Sequence, residues 1–287
     1  MKKRTILRCI RIALLLCMIV CLVQIGRTYY LSMRHREQKA ALGARRWESA
    51  QGGAAESGQG EENKGNSEED SLSVSSNDRE DTNETEGTDM PAKPPQMLSG
   101  LAGLYEENHD LVGWLSIAGM KIDYPVMQCD DNEYYLSHDF YGNEDKYGCL
   151  FVKDIADVDM PTDNFIIYGH NMKDGSMFGD LDLYKKEAFY REHSIIRFDT
   201  LYEERTYEIV AVFLSRVYDT EEEGFRYYDF YEAETEEAFA YFYENIKSAS
   251  LYETGVTAEY GDTFLTLSTC AYHEEDGRLV VVAKRVE

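Results

Sequence analysis

Phe264-Leu-Thr-Leu-Ser-Thr-Cys270, a short acidic turn, and Arg278-Leu-Val-Val-Val-Ala-Lys-Arg-Val286 form the stretch on which the reading of this chain turns. The first arm is rich in Thr, Leu and Phe, and the second is β-branched almost throughout, so both favour strand over helix. Between them Glu274-Glu275-Asp276-Gly277 carries an Asp-Gly turn signal. The two arms therefore read as an antiparallel hairpin, with a cysteine closing one strand and an arginine opening the next. If the hairpin folds near Glu274, Cys270 and Arg278 fall opposite or diagonal, roughly 5–8 Å apart. A thiol and a fixed cation presented together at a strand edge suit a nucleophile with an anion-stabilising neighbour.

Working outward, the 190 residues from Leu98 to Glu287 read as one β-rich domain. Strands are expected at Trp114–Ile117, Ile122–Val126, Gly148–Val152, Asn164–Tyr168, Ile195–Phe198 and Arg205–Tyr218, ahead of the two arms of the hairpin. Leu98, Leu101, Leu104 and Tyr105 repeat at helical spacing and predict a short opening helix. Ser176–Tyr184 reads as a turn or two of helix. Thr235–Lys247 reads as a longer one, capped by Thr235, with Glu236 and Glu237 at its positive end and Phe239, Phe242, Tyr243 and Ile246 on its buried face. About eight strands with few helices predict a mostly β barrel or sandwich.

Before that domain the texture changes twice. Residues 1–34 combine a basic tail with an apolar run from Ile12 to Val23, and no small-x-small cleavage site follows it. With Arg11 and Arg27 snorkelling, and Tyr29 and Tyr30 at the interface, the run reads as an uncleaved signal-anchor. Five basic residues ahead of it predict a cytoplasmic N-terminus and an extracellular domain. Residues 35–97 read as a disordered linker, acidic and Gly/Ser-rich over most of their length. Its last 47 residues would span about 35–40 Å as a flexible coil. The whole chain carries a net charge of −25, and the domain after residue 97 carries an equal excess of acid. Such a surface repels phosphate backbones, so nucleic acid is not an expected partner.

The six cysteines include three near the apolar run and three in the domain, Cys129, Cys149 and Cys270. No C-x-x-C spacing suggests zinc, and no metal or cofactor is expected. A Cys129–Cys149 disulfide stays open at this point. His170 follows Phe165-Ile-Ile-Tyr-Gly169 at a strand end. Singly, Cys270 has an ordinary reading as a core cysteine, His170 as a structural histidine and Arg278 as a surface arginine. Together they suit acyl transfer: a thiolate attacks a carbonyl, an imidazole handles the amine's proton, and a cation or N–H holds the oxyanion. An ordinary thiol and imidazole titrating independently are both ionised in only about 1% of molecules, so such a site depends on its neighbours. No carboxylate is placed by sequence as an obvious partner for His170.

The blocks Thr266-Leu-Ser-Thr-Cys270, Asn164-Phe-Ile-Ile-Tyr-Gly-His-Asn171 and Asp276-Gly-Arg-Leu-Val280 resemble the signature blocks of class B sortases. So do Gly113-Trp-Leu-Ser-Ile117, Ile122-Asp-Tyr-Pro-Val-Met-Gln128 and Asp131-Asn-Glu-Tyr-Tyr-Leu136. The resemblance runs from about Leu98 to Glu287. It implies an eight-stranded sortase β-barrel with an N-terminal helix and a long helix before the catalytic strand. The implied activity is that of a cell-surface cysteine transpeptidase of Gram-positive bacteria. Cys270 would attack the threonine carbonyl at the Thr–Gly or Thr–Asn bond of a sorting signal (Asn-Pro-x-Thr or Ser-Pro-x-Thr-like), His170 would shuttle the proton, and Arg278 would hold the oxyanion or the substrate. Asn132, Leu136, Tyr168 and Ser268 would line the groove. The implied partners are proteins bearing sorting signals and an amine acceptor on the peptidoglycan precursor lipid II or on a pilin. Two rivals remain at this stage: a surface cysteine endopeptidase that uses water, and a non-catalytic peptide-binding module.

Overall fold

A computed structural model describes residues 2–57, 96–158, 162–271 and 275–286. The first element, α1 (Lys2–Ser57), continues well beyond the apolar run into the stretch read as linker. Residues 58–95 of that stretch, and Glu274 in the hairpin turn, lie outside the described residues. Between Arg11 and Gly52 the helix is long and apolar enough to cross a membrane, and the apolar window is not covered by protein.

The domain opens with α2 (Ser99–Tyr105), followed by β1 (Leu111–Ser116), β2 (Asp123–Met127), β3 (Leu150–Phe151) and β4 (Asn164–Gly169). Next come α3 (Glu187–Glu192), β5 (Ile195–Thr200), β6 (Glu204–Arg216), α4 (Glu236–Ala249), β7 (Phe264–Cys270) and β8 (Gly277–Arg285). Among the described residues these strands close into an eight-stranded barrel in the order β1-β2-β3-β4-β7-β8-β6-β5. The β2–β3 and β4–β7 pairs are parallel and the others antiparallel. The strands expected from the sequence are all present. Ser176–Tyr184 proves to be a 3-10 stretch displaced to Gly179–Lys185, and α3 was not anticipated.

Strand parity sorts the side chains. On β7, Leu265 and Leu267 point into the barrel beside Phe165, Ile167, Leu279 and Val281. Phe264 belongs instead to a second cluster outside the barrel, where α4 lays Phe239, Phe242 and Ile246 over Phe213, Val280 and Val282. The sheet formed by β6, β7 and β8 is thus buried on both faces, which is why Leu279–Ala283 reads as a continuous apolar run rather than an alternating one. Thr235 caps α4 as expected, accepting a hydrogen bond from the Ala238 amide at 3.2 Å. A third cluster lies under α1 and α2, built from Leu42, Leu101, Leu104, Trp114, Tyr135 and Phe140.

Candidate active site

The outward face of β7 carries Phe264, Thr266, Ser268 and Cys270, since successive side chains alternate across a strand. Parallel β4 sits beside it with Tyr168 facing Ser268 and Gly169 facing Thr269. The pairing ends there, and the chain leaving β4 runs through His170 to Asn171, whose side chain still reaches the Cys270 carbonyl. On the other side, antiparallel β8 pairs Arg278 directly with Cys270. The hairpin reading of the sequence is therefore correct in register. The end of β4, the end of β7 and the start of β8 therefore lie side by side at one barrel edge, carrying or leading into His170, Cys270 and Arg278.

Several local features hold this edge. Gly169 has no room for a side chain, because a Cβ there would meet Leu150 at 2.4 Å and Phe178 at 2.8 Å. Thr269 ties the strands by donating its hydroxyl to the Gly169 carbonyl at 2.7 Å. Asn171 donates from Nδ2 to the Cys270 carbonyl at 2.8 Å, fixing the end of β7 from the segment that also carries His170. Asp276 turns the hairpin at φ 53°, a conformation Asp tolerates better than most residues.

His170 Nε2 lies 2.7 Å from the Leu136 carbonyl oxygen. A carbonyl can only accept, so Nε2 carries the proton and Nδ1 is left to exchange one with substrate. The partner absent from the sequence reading is thus a backbone oxygen, not a carboxylate. Arg278 donates through Nη1 to the carbonyls of Asp276 and Gly277, each at 3.0 Å.

Leu136, at the end of a short 3-10 turn, presents an exposed side chain beside this site. Tyr168 stacks on Phe151 at 5.6 Å, with the Lys153 ammonium 5.3 Å from its ring centre. Its hydroxyl and that of Tyr231 are closed off from solvent, and burial pushes both phenols up. Asn132 is engaged reciprocally with Asp154, donating to its carboxylate and accepting from its amide, each at 2.8 Å. Ser268 is only 1% exposed, and its hydroxyl meets that of buried Tyr227 at 2.7 Å. Burial pushes the Tyr227 hydroxyl up; the Ser268 bond and Arg278 oppose that shift, and Cys270 adds to it. Tyr227, Asn171 and the Leu136 carbonyl went unnoticed in the sequence. None carries a spacing signal, because each reaches the site from a different loop.

Cys129 and Cys149 are both free thiols. Cys149 is buried, and that burial drives its thiol far from ionisation. Among the described residues no group of three or more His, Cys, Asp or Glu side chains is placed to hold a metal ion.

Residues 115–286 match the family model described as the sortase domain. Sortase B of Listeria monocytogenes is 37% identical over 193 residues, which are 65% of this chain and 74% of that protein. The crystal structure of a Bacillus anthracis sortase B is similar with a TM-score of 0.59 at 34% identity, covering 67% of this chain and 86% of that one. A Staphylococcus aureus sortase B–substrate complex is similar with a TM-score of 0.61 at 30% identity, covering 67% and 87%.

Proposed function

Since this chain belongs to the sortase family and is a class B-type cysteine transpeptidase, we propose that it cleaves a C-terminal sorting signal after threonine and passes the protein to an amine. The observation that supports this reading is the register of β4, β7 and β8, which brings the end of β4, just before His170, and the start of β8 at Arg278 to either side of the strand that ends in the partly exposed Cys270. Having passed its proton to His170 Nδ1, Cys270 attacks the threonine carbonyl carbon as a thiolate, and the oxyanion that forms meets the guanidinium of Arg278. The C–N bond breaks as His170 gives its Nδ1 proton to the departing amine, leaving a thioester on Sγ. An incoming amine then returns a proton to Nδ1, attacks the thioester and releases the thiolate.

The signal would lie along the outward face of β4 and β7. Leu136 and Tyr168 offer it apolar surface, and Lys153 and Asn132 border the polar end. Ser268 would act through Tyr227 rather than by touching the peptide. The signal is expected to be Asn-Pro-x-Thr or Ser-Pro-x-Thr-like, and the acceptor a lipid II or pilin amine. The apolar part of α1 would anchor the enzyme with its N-terminus in the cytoplasm and the barrel outside.

The test is cleavage of fluorogenic peptides with Asn-Pro-x-Thr, Ser-Pro-x-Thr and Leu-Pro-x-Thr cores, with and without an amine nucleophile. Cleavage after threonine, lost in Cys270→Ala and in His170→Ala, with product diverted to the amine, supports transpeptidation. Equal hydrolysis whatever the amine points to an endopeptidase. No cleavage, together with a Cys270 inert to a methanethiosulfonate, leaves only peptide binding.

A further inference from the structure

The membrane-proximal half of α1 does not stand away from the barrel. Leu42 is 3% exposed and packs into the cluster of Leu101, Trp114, Tyr135 and Phe140. His35 is 7% exposed, with its ring 4.2 Å from that of Tyr147 and nearly parallel to it. The Lys39 ammonium lies 4.1 Å from the centre of the Tyr124 ring. Arg34 pairs with Asp139 at 3.3 Å, and Arg46 pairs with Asp199 while lying over the Trp114 ring. A cavity of about 30 Å3 remains between this helix and the barrel, with Cys149 in its wall.

What the helix touches matters more than that it touches. The Tyr124 hydroxyl oxygen accepts a hydrogen bond from the Met177 amide at 3.1 Å. Met177 is a non-glycine residue at φ 52°, so its loop needs holding. It bridges to Asn171, the residue that binds the Cys270 carbonyl and follows His170. Tyr147 donates to Asp174 of that same loop at 3.4 Å, and Ser32 of α1 donates to the same carboxylate at 3.5 Å. The second loop under the helix contains Asp139 and leads back to Leu136, whose carbonyl holds His170. Both segments that position the catalytic histidine are therefore pressed from outside by α1.

We infer that residues 32–46 of α1 are an intramolecular brace for the active site, and that the helix-docked form is the competent enzyme. The partner for this face of the barrel is thus the chain's own juxtamembrane helix. Docking also sets position. From Arg27 to Arg34 a helix rises only about 10 Å, so the barrel sits close to the bilayer rather than at the end of a long tether. The consequence for turnover rests on the transpeptidase reading; the docking itself does not.

Cys149 serves as a built-in reporter, because the docked helix helps to enclose it. The test uses the full chain in lipid nanodiscs, labelled with a maleimide and mapped by mass spectrometry so that each cysteine is read separately. Leu42→Asp places an unpaired charge in the docking cluster and should speed Cys149 labelling by about tenfold or more. Hydrogen exchange in residues 134–149 and 171–177 should rise with it, and kcat should fall with KM little changed. Leu42→Met should behave as wild type. Should Leu42→Asp unfold the barrel, the pair Arg34→Ala with Arg46→Ala, which removes two ion pairs and no core volume, must move labelling and kcat in the same directions. Cys149 labelling unchanged in these variants would overturn docking as the cover. Faster labelling with unchanged kcat would overturn the brace. Labelling and exchange need no substrate, so a failure of the sorting-signal reading would leave them interpretable.

Discussion

Tyr227 and Ser268 share a hydrogen bond of 2.7 Å in which both hydroxyls are almost wholly buried. Tyr227 belongs to the connection between β6 and α4, and Ser268 lies two residues before Cys270 on β7. In Tyr227→Phe the Ser268 hydroxyl stays buried and loses this partner, which costs about 1–3 kcal/mol. Ser268→Ala strands the tyrosine hydroxyl in the same way and should cost a similar amount. Removing both hydroxyls together leaves no buried orphan, so the double variant should be far less damaged than the two single losses combined. That non-additivity is the signature of a direct contact. For a domain of this size each kcal/mol moves the melting temperature by about 2–4 °C, so single variants should melt about 2–12 °C lower. The assay is a near-ultraviolet circular-dichroism melt of the four proteins, full-length in detergent, where tertiary packing of the aromatic core is read directly. Single losses that simply add, with coupling under about 0.5 kcal/mol, would refute a shared buried bond. A double variant that remains stable but has a raised KM for peptide would show that the pair also places the groove wall.

Three further outcomes follow from the same geometry. Asn171→Ala frees the Cys270 carbonyl; losing about 1 kcal/mol of positioning should lower kcat about fivefold while KM holds, as steady-state kinetics would show. Burial holds the His35 imidazole below its ordinary value, overcoming the pull of Asp145, Asp174 and Asp139, with Lys39 acting in the same direction as burial. A base with a depressed value favours the docked helix fully above about pH 6.5 and loses that contribution as pH falls below it. Exchange protection of residues 134–149 should therefore weaken on acidification below about pH 6.5 and lose most of that dependence in His35→Phe. Thr235→Ala removes the α4 cap and should cost about 1 kcal/mol, measured as a small drop in melting temperature with peptide cleavage retained.

Much of the fold was legible because a two-residue period and a hairpin turn leave marks in a sequence. Thr266-Leu-Ser-Thr-Cys270 alternates faces as a strand beside a groove must, and the turn at Asp276-Gly277 sets the pairing of Cys270 with Arg278. The helical repeat of Phe239, Phe242 and Ile246 announced α4 for the same reason. Helix α3 was missed because six residues, Glu187–Glu192, are too few to establish a period. The continuation of α1 past residue 34 was missed for a different reason. Its residues up to Ala50 include good helix formers, but the apolar contacts that dock it are as sparse as Leu42 and the face of His35.

The trio proposed to carry catalysis and its supports differ in the same way. His170, Cys270 and Arg278 lie at the ends of long strands, so knowing the strands nearly suffices to find them. Their supports are a carbonyl at Leu136, an amide side chain at Asn171 and a phenol at Tyr227, delivered by three loops. A carbonyl oxygen is present at every residue, so only the path of the chain makes the one at Leu136 special. That division has a mechanistic side. The barrel supplies adjacency through backbone pairing, which a single side-chain replacement scarcely disturbs. Orientation comes from loops that the membrane-proximal helix presses from outside. Loss of the helix contacts should accordingly change turnover before it changes the fold.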